Sequence, residues 1–384
     1  MKIKSPLLVI SLLAATQVHA GGIRLHELAS FDSLSSAGAA NATQRRDASA
    51  VISNPAGLTH IEDSSLHLGL MSINGSNEFF GTLDGILGSE TEMHRKASSS
   101  SLAPNIAYAK RVSDNWVLAG SLHAVGGLGE EYANGLAGQG FVDDLAQEAV
   151  NLQLGVAYSV NERLSLGAAA IVQYMRLEGS LLDNKTDGVM AIDVEGDDIN
   201  LGAMLSANYL LGDRTLLAAN YQSQIKHDLD VQMSVANQSM DLRMPASWPA
   251  MVDLGLDHQL NEQISLKTTL SYEMWSQWDD TYNDSVGIAV AGDYQVGQYR
   301  FQAGFRYDSA MMDVAAMTPA LTVGTQWTIG SGVEYTRGNG HRVGLSYEYR
   351  EINSEDVEYA AIGGTIRGAF DYSHLHLVAL SYAF

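Results

Sequence analysis

The chain has 384 residues, of which 44 are acidic and 22 basic, giving a formal net charge of −22, and it has no cysteine. That acidity excludes nucleic acid as a partner, because phosphate contacts need lysine and arginine, and the lack of cysteine excludes a disulfide framework. No apolar run reaches the roughly 18 residues of a membrane helix, so only a closed barrel, with every backbone group paired inside it, would carry this chain across a bilayer.

Residues 1–20 read as a secretory signal. Lys2 and Lys4 give a positive start, Leu7 to Ala15 an apolar run broken only by Ser11, and Val18-His19-Ala20 a cleavage site. No cysteine follows, which argues against a lipid anchor, and the mature chain is expected to begin at Gly21. Residues 21–63 lack a strand period. They are rich in alanine and serine, carry Arg45, Arg46 and Asp47, and break at Asn54-Pro55-Ala56-Gly57.

From Ser64 onward the pattern changes to alternation with period two. Val150, Leu152, Leu154, Val156 and Tyr158 share one face, as do Ile199, Leu201, Ala203, Leu205, Ala207 and Tyr209. Tyr299, Phe301, Ala303, Phe305 and Tyr307 alternate with Arg300, Gln302, Gly304, Arg306 and Asp308. Strands are expected near 64–75, 92–110, 115–125, 147–160, 163–180, 190–210, 214–232, 248–260, 263–279, 284–294, 298–308, 325–336, 341–352 and 370–384. That is fourteen, an even number that suits a single-chain bacterial barrel.

Connections after even-numbered strands are short, such as Ser113-Asp114, Asn161-Glu162 and Leu211-Gly212-Asp213. Most of those after odd-numbered strands are long: 126–146, 233–247, 309–324 and 353–369. The connection after strand nine is the expected exception. Short periplasmic turns and long outer loops mark outer-membrane barrels. A secreted β-sandwich also alternates. It does not need the tyrosines that cluster on the apolar faces here, among them Tyr158, Tyr174, Tyr209, Tyr272, Tyr347 and Tyr349. The chain ends on Phe384, with Val378, Leu380 and Tyr382 on the same face. A barrel of fourteen strands is wider than one filled by its own side chains, so residues 21–63 are expected to plug the lumen.

With these residues in view, the chain resembles the FadL-type outer-membrane transporters of long-chain fatty acids and other hydrophobic compounds. GGIRLHELAS followed by SLSSAGAANATQRRDASAVISNPAGLT is similar to that family's N-terminal hatch, with Asn54, Pro55 and Ala56 at its hatch motif. Gly127 to Tyr132, Met244-Pro245-Ala246-Ser247-Trp248, Trp275-Ser276-Gln277-Trp278 and Arg306-Tyr307-Asp308-Ser309 continue the resemblance in order. It implies an all-β fold: a 14-stranded antiparallel transmembrane barrel (64–384), a hatch (21–63) and a signal (1–20), in the outer membrane of a Gram-negative bacterium. It also implies a mature N-terminus that reaches a ligand pocket, with Ile23, and beside it Leu25, as pocket residues. This chain has Ile where the fatty-acid type has an aromatic. A lateral opening made by a kink in the third strand is implied as well, and Gly126 and Gly127 at the end of that strand are the candidates.

The expected function is uptake of hydrophobic compounds, with long-chain fatty acids foremost, by loop capture, a hatch-gated pocket and lateral release. A general porin, or a channel for aromatic hydrocarbons or alkanes, is the alternative. Leu128, Tyr132, Phe141 and Leu145 in the loop 126–146 are the capture candidates. Arg300 and Arg306 face the lumen and either meet a fatty-acid carboxylate or pair with wall carboxylates such as Asp308 and Glu273. Nothing in the spacing makes a catalytic or metal site, and no cofactor is expected. Asp143-Asp144 and Asp197-Asp198 read either as solvated loop charge or as bridges through divalent ions to lipopolysaccharide. Further expected partners are outer-membrane lipid and, through Phe384, the barrel-assembly machinery. The family points to a monomer.

Overall fold

A computed structural model describes His26 and residues 28–85, 90–132, 144–180, 192–235, 238–278, 281–313, 324–353, 357–361 and 364–384. The expected signal, with Ile23 and Leu25, lies outside them. Seventeen strands are present: β1 (Ser64–Gly85), β2 (Glu90–Arg111), β3 (Trp116–Tyr132), β4 (Asp144–Ser159), β5 (Leu164–Ser180), β6 (Ile192–Leu211), β7 (Thr215–Gln222), β8 (Ile225–Val235), β9 (Gln238–Trp248), β10 (Met251–Gln259), β11 (Ile264–Glu273), β12 (Ser285–Val296), β13 (Tyr299–Asp308), β14 (Gln326–Thr336), β15 (Arg342–Ile352), β16 (Val357–Ala361) and β17 (Gly364–Ala383). β7 with β8, β9 with β10, and β15 with β16 each continue one stave across a short break. The break between β9 and β10 contains Pro249, which has no N–H to give to a ladder. The result is fourteen antiparallel staves, closed by β1 pairing with β17. Phe384 takes part in that closure, since its N–H donates to the Leu66 carbonyl and its carbonyl accepts from the Leu66 N–H.

Alternation sets which residues face lipid. On β17 and just after it, Val378, Leu380 and Phe384 are exposed, whereas Leu377, Ala379, Ser381 and Ala383 are buried inward. Leu102, Leu154, Ile199, Leu201 and Leu205 likewise stand on the outer surface. Tyr347, Tyr349, His374 and His376 form a stacked aromatic group on the wall of β15 and β17.

Several expected boundaries are corrected. β1 and β2 each hold 22 residues. A tilted membrane crossing needs only about 9–11, so both project well beyond the bilayer. The expected loop 233–247 is largely the β8–β9 ladder, which pairs Ile225 with Trp248 through Val235 with Gln238. Its outward side chains are charged (Asp228, Asp230, Asp241, Arg243) because they stand above the lipid, and the lost apolar alternation made strands look like loop. In the same way β3 runs to Tyr132 and β4 starts at Asp144. Leu128, Tyr132 and Leu145 therefore lie in strands rather than in a free loop, and Phe141 falls outside the described residues. Gly126 and Gly127 sit within β3, not at its end. The connection after β11 is not short. It spans 274–284 and holds a 3₁₀ turn, Trp275–Gln277.

The segment before β1 folds inside the barrel. Two short helices, α1 (Phe31–Ser35) and α2 (Ala50–Ser53), alternate with 3₁₀ turns Asn41–Thr43 and Pro55–His60. Ser30 caps α1, its hydroxyl accepting from the Ser33 N–H at 3.3 Å. α1 packs on β13, β14, β15 and β17, the Pro55–His60 turn on β4, β5 and β6, and the Asn41–Thr43 turn on β7, β10 and β11. Small residues make this possible. A Cβ at Gly304 would stand 2.1 Å from the Ser36 carbonyl, and one at Gly330 would stand 2.3 Å from that of Leu34. The wall lacks side chains where hatch backbone leans on it.

Candidate functional site

The lumen is divided in two by chemistry. The lower half, toward the short turns, is a belt of ion pairs between hatch and wall. Arg300 on β13 binds Asp32 of α1 at 2.5 Å and Asp293 on β12 at 2.7 Å. Arg46 reaches Glu334 on β14 at 2.7 Å, Arg45 reaches Asp257 on β10 at 3.2 Å, and Arg342 on β15 reaches Asp47 at 3.1 Å and the Arg46 carbonyl at 2.8 Å. Lys267 joins Asp257 and Asp293. Burial pushes the Asp47 carboxyl up, but His67, Arg342 and a hydrogen bond from Ser49 more than offset this and hold it below the usual carboxylate range. Neutral bonds complete the seat: Gln153 donates to the Val51 carbonyl at 2.6 Å, Asn220 to that of Ala42 at 3.0 Å, and Thr269 to that of Ala39 at 2.9 Å. Between this belt and β10–β13 lies a polar cavity of about 330 Å³, open beside the Asn261–Gln263 turn.

The hatch motif acts as a staple. Asn54 is fully buried and its side chain donates to the Gln44 carbonyl at 3.0 Å. Its own carbonyl accepts from the Gly57 N–H at 2.8 Å. Pro55 starts the 3₁₀ turn, where a missing N–H costs nothing. The Ala56 N–H then donates to Ser206 on β6 at 2.7 Å.

Above the hatch two clusters of buried apolar side chains line the lumen. One buried cluster gathers Ile171, Met175, Leu177, Val194, Met204, Ile225, Leu229, Val231, Met233 and Trp248. The other gathers Met71, Ile73, Phe79, Met93, Trp275, Tyr282, Met311, Met312, Ile366, Phe370 and Leu377. Trp278 packs against both, stacked on Tyr282 at 5.0 Å with planes 7° apart. Methionine and tryptophan here give a polarizable lining that adapts to irregular shapes. Most of these residues are absent from the candidates named from sequence. Their signal is an anomaly of facing: Ile171, Met175 and Leu177 point inward on β5, while Val172 and Tyr174 point out. A water-filled barrel would carry polar residues there.

The wall beside this chamber is interrupted. β2 and β3 pair from Arg111 with Val117 up to Asn105 with His123, and then not again until Ser98 with Glu131. On the other side of β3 a bulge falls between Ala124 and Gly126. Residues 99–104 of β2 and 124–130 of β3 thus frame a window. Pro104, which cannot donate to a ladder, stands on its β2 edge. A Cβ on Gly126 would lie 2.6 Å from the Trp248 ring, so only glycine lets β3 pass this close to the chamber lining.

The remaining candidates divide. Arg300 and Arg306 are buried but already paired. Arg306 gives three hydrogen bonds to Asp308 at 2.7–3.0 Å, beside His26 at 3.2 Å. The pairing alternative describes both arginines, and neither presents an uncommitted cation to a carboxylate. Nothing is described of the side chains of Leu128, Tyr132 and Leu145. Among the described residues no cluster of three metal-ligating side chains occurs.

Comparison with known proteins agrees with this architecture. The family described as outer membrane protein transport protein (OMPP1/FadL/TodX) matches residues 11–374. A long-chain fatty acid transport protein of Escherichia coli O6:H1 is 21% identical over 431 residues, covering 96% of this chain and 95% of its own. Outer membrane protein P1 of Haemophilus influenzae is 21% identical, covering 98% of each. In fold, the chain is similar to a FadL homologue of Pseudomonas aeruginosa (TM-score 0.83, 19% identity, 94% of this chain and 99% of that one). It is also similar to the P. putida toluene transporter TodX (TM-score 0.64, 17% identity, 88% and 93%). The chain belongs to the outer membrane protein transport protein (OMPP1/FadL/TodX) family, transport proteins of the outer membrane that carry hydrophobic compounds and are not enzymes.

Proposed function

We propose that this protein takes up long-chain fatty acids and similar long aliphatic molecules, passing them from the outer rim into the apolar chamber and out sideways through the β2–β3 window. The observation that carries this reading is the coincidence of two features at one level: an apolar lumen, and the break in the ladder between Ser98–Glu131 and Asn105–His123. An apolar solute gains nothing by entering a water-filled pore. It gains about 0.8 kcal/mol per buried methylene in a dry lining, and a side exit spares it the aqueous periplasm. The hatch, held by ion pairs toward β10, β13, β14 and β15 and by neutral hydrogen bonds toward β4, β6 and β7, keeps the lower half shut to ions while this happens.

Chamber length favours a chain over a single ring. Ile225 to Met233 on β8 are eight residues apart, and at about 3.3 Å per residue they span roughly 26 Å along the strand. The relative from E. coli is named for long-chain fatty acids and the P. putida neighbour for toluene, and the span argues for the first kind of cargo. A general porin is the weaker reading, because the charge-locked hatch closes the lower half of the lumen. In this reading Phe384 is the handle for the assembly machinery, lipopolysaccharide surrounds the projecting strands, and the protein works as a monomer.

The test is uptake of radiolabelled oleate by cells expressing the protein, set beside single-channel recording of the purified protein. Saturable uptake with small or absent steady currents is expected. Large, steady open-channel currents without uptake would overturn the proposal.

A further inference from the structure

Below the apolar chamber, between hatch and wall, lies a second cavity of about 40 Å³, lined among others by Ser53, His123, Val125, Asn151, Met204 and Arg306. Met204 belongs to the apolar cluster above and Val125 packs on it, so the cavity adjoins the chamber floor. A buried water needs about 10–15 Å³. The space therefore admits a head group and excludes an aliphatic chain.

Its lining carries one carboxylate, Asp253, and one cation, Arg306, beside neutral polar groups that are partly uncommitted. Asn151 accepts through Oδ1 from Gln173 at 2.9 Å, which leaves its N–H groups to donate into the cavity. Gln173 is held in turn by His227 at 3.0 Å, and His227 by Asp198 at 3.0 Å, so the orientation of Asn151 is fixed across four strands. On the hatch side the Ser53 hydroxyl is buried without a hydrogen-bond partner among the described residues. One strand away, at the foot of the window, Asn105 is 4% exposed, is paired in register with His123, and has neither amide atom hydrogen-bonded. Buried polar groups without partners are rare, and each calls for an occupant. The cation in the lining, Arg306, is held by three bonds to Asp308 and brings no net charge to offset an anion. Burying a carboxylate here would cost far more than burying a hydroxyl.

We propose that this cavity seats the uncharged oxygen head group of a long aliphatic ligand, an alcohol or a protonated acid, bridged between Ser53 of the hatch and Asn151 of the wall. The proposal rests on the transport reading above and narrows its cargo. One end of the ligand would touch the hatch itself, while its chain fills the chamber and its head lies at the level of the window.

The test is equilibrium binding of 1-hexadecanol, hexadecanoate at neutral pH and hexadecane to the full mature protein in nanodiscs, with empty nanodiscs as reference. Hexadecanol is expected to bind about two- to tenfold tighter than hexadecane for each hydrogen bond made, and tighter than hexadecanoate. Ser53→Ala removes a hydroxyl that makes no internal bond, so the barrel should stay heat-modifiable while the alcohol's advantage falls to near that of hexadecane. Asn151→Leu should do the same, with hexadecane binding showing that the chamber is still formed. Tightest binding by hexadecanoate, or equal effects of Ser53→Ala on all three ligands, overturns the head-group seat but leaves transport standing. If none of the three binds, both readings fall.

Discussion

Arg300 of the wall and Asp32 of the hatch meet at 2.5 Å, both almost fully buried, with Asp293 on the same guanidinium at 2.7 Å. Breaking a buried pair by removing one partner costs about 3–5 kcal/mol, because the other charge is left uncompensated. The barrel ladder does not depend on this pair, so the loss should fall on the seating of the hatch. Arg300→Met should therefore give a heat-modifiable barrel whose ionic conductance rises and whose hatch becomes sensitive to protease. Conductance indistinguishable from the parent would show that the pair does not hold the hatch.

The glycine seats make a second, steric prediction. At Gly304 a Cβ would lie 2.1 Å from the Ser36 carbonyl oxygen, and that oxygen is main chain, which has no rotamer to yield. Gly304→Val is expected to displace α1 and open the lumen to ions, while the β12–β13–β14 ladder persists. Surface glycines give the contrast: nothing lies within 4 Å of a Cβ at Gly338, so Gly338→Ala should change neither conductance nor stability by more than about 0.5 kcal/mol.

These contacts also show why some features were legible in the sequence and others were not. The lipid-facing side of each stave must be apolar for its whole crossing, so Leu152-Gln153-Leu154 or Tyr299-Arg300-Phe301 announces a strand. Above the membrane that demand disappears, and Asp241-Leu242-Arg243-Met244 on β9 reads as loop although it is paired with β8 along its length. Its apolar residues face inward, which is the signature of the chamber. The hatch motif was visible as Asn54-Pro55-Ala56, but its purpose was not, since Ser206 lies 150 residues away from its partner Ala56. The window was half legible. Gly126 marks the bulge, whereas a missing ladder between Ser98 and Asn105 leaves no trace in composition except Pro104.

The Asp47 site predicts how the seal responds to acid. Its carboxyl is held below the usual value of about 3.9. A group depressed on folding contributes stability that is complete above its unfolded pKa and is lost as pH falls through the folded value. The Asp47 contribution, made with His67 on β1 and Arg342 on β15 and opposed by Asp32, is therefore intact at pH 5 and fades only below about pH 4. Protease sensitivity of the hatch, followed as pH is lowered, should show no Asp47-dependent loss until then. In Asp47→Asn the hatch should be loosened at neutral pH and should lose less on acidification than the parent. A parent that loosens near pH 6 in step with Asp47→Asn would contradict the assignment.

The window can be tested without touching the hatch. Gly126 faces the Trp248 ring at a distance that leaves no room for a side chain, 2.6 Å from a built Cβ. In Gly126→Leu the ring must move or β3 must move, and either fills the space between chamber and window. Uptake of oleate is expected to fall about tenfold with conductance and heat-modifiability unchanged, because the hatch contacts lie below this level. Trp248→Ala opens space on the opposite side of the same contact, so the double variant should recover part of the lost uptake, a coupling of the size found for residues in direct contact, about 0.5–3 kcal/mol. Additive losses in the double variant would mean that Gly126 serves the fold of β3 alone. Full uptake by Gly126→Leu would mean that the solute does not leave through this gap.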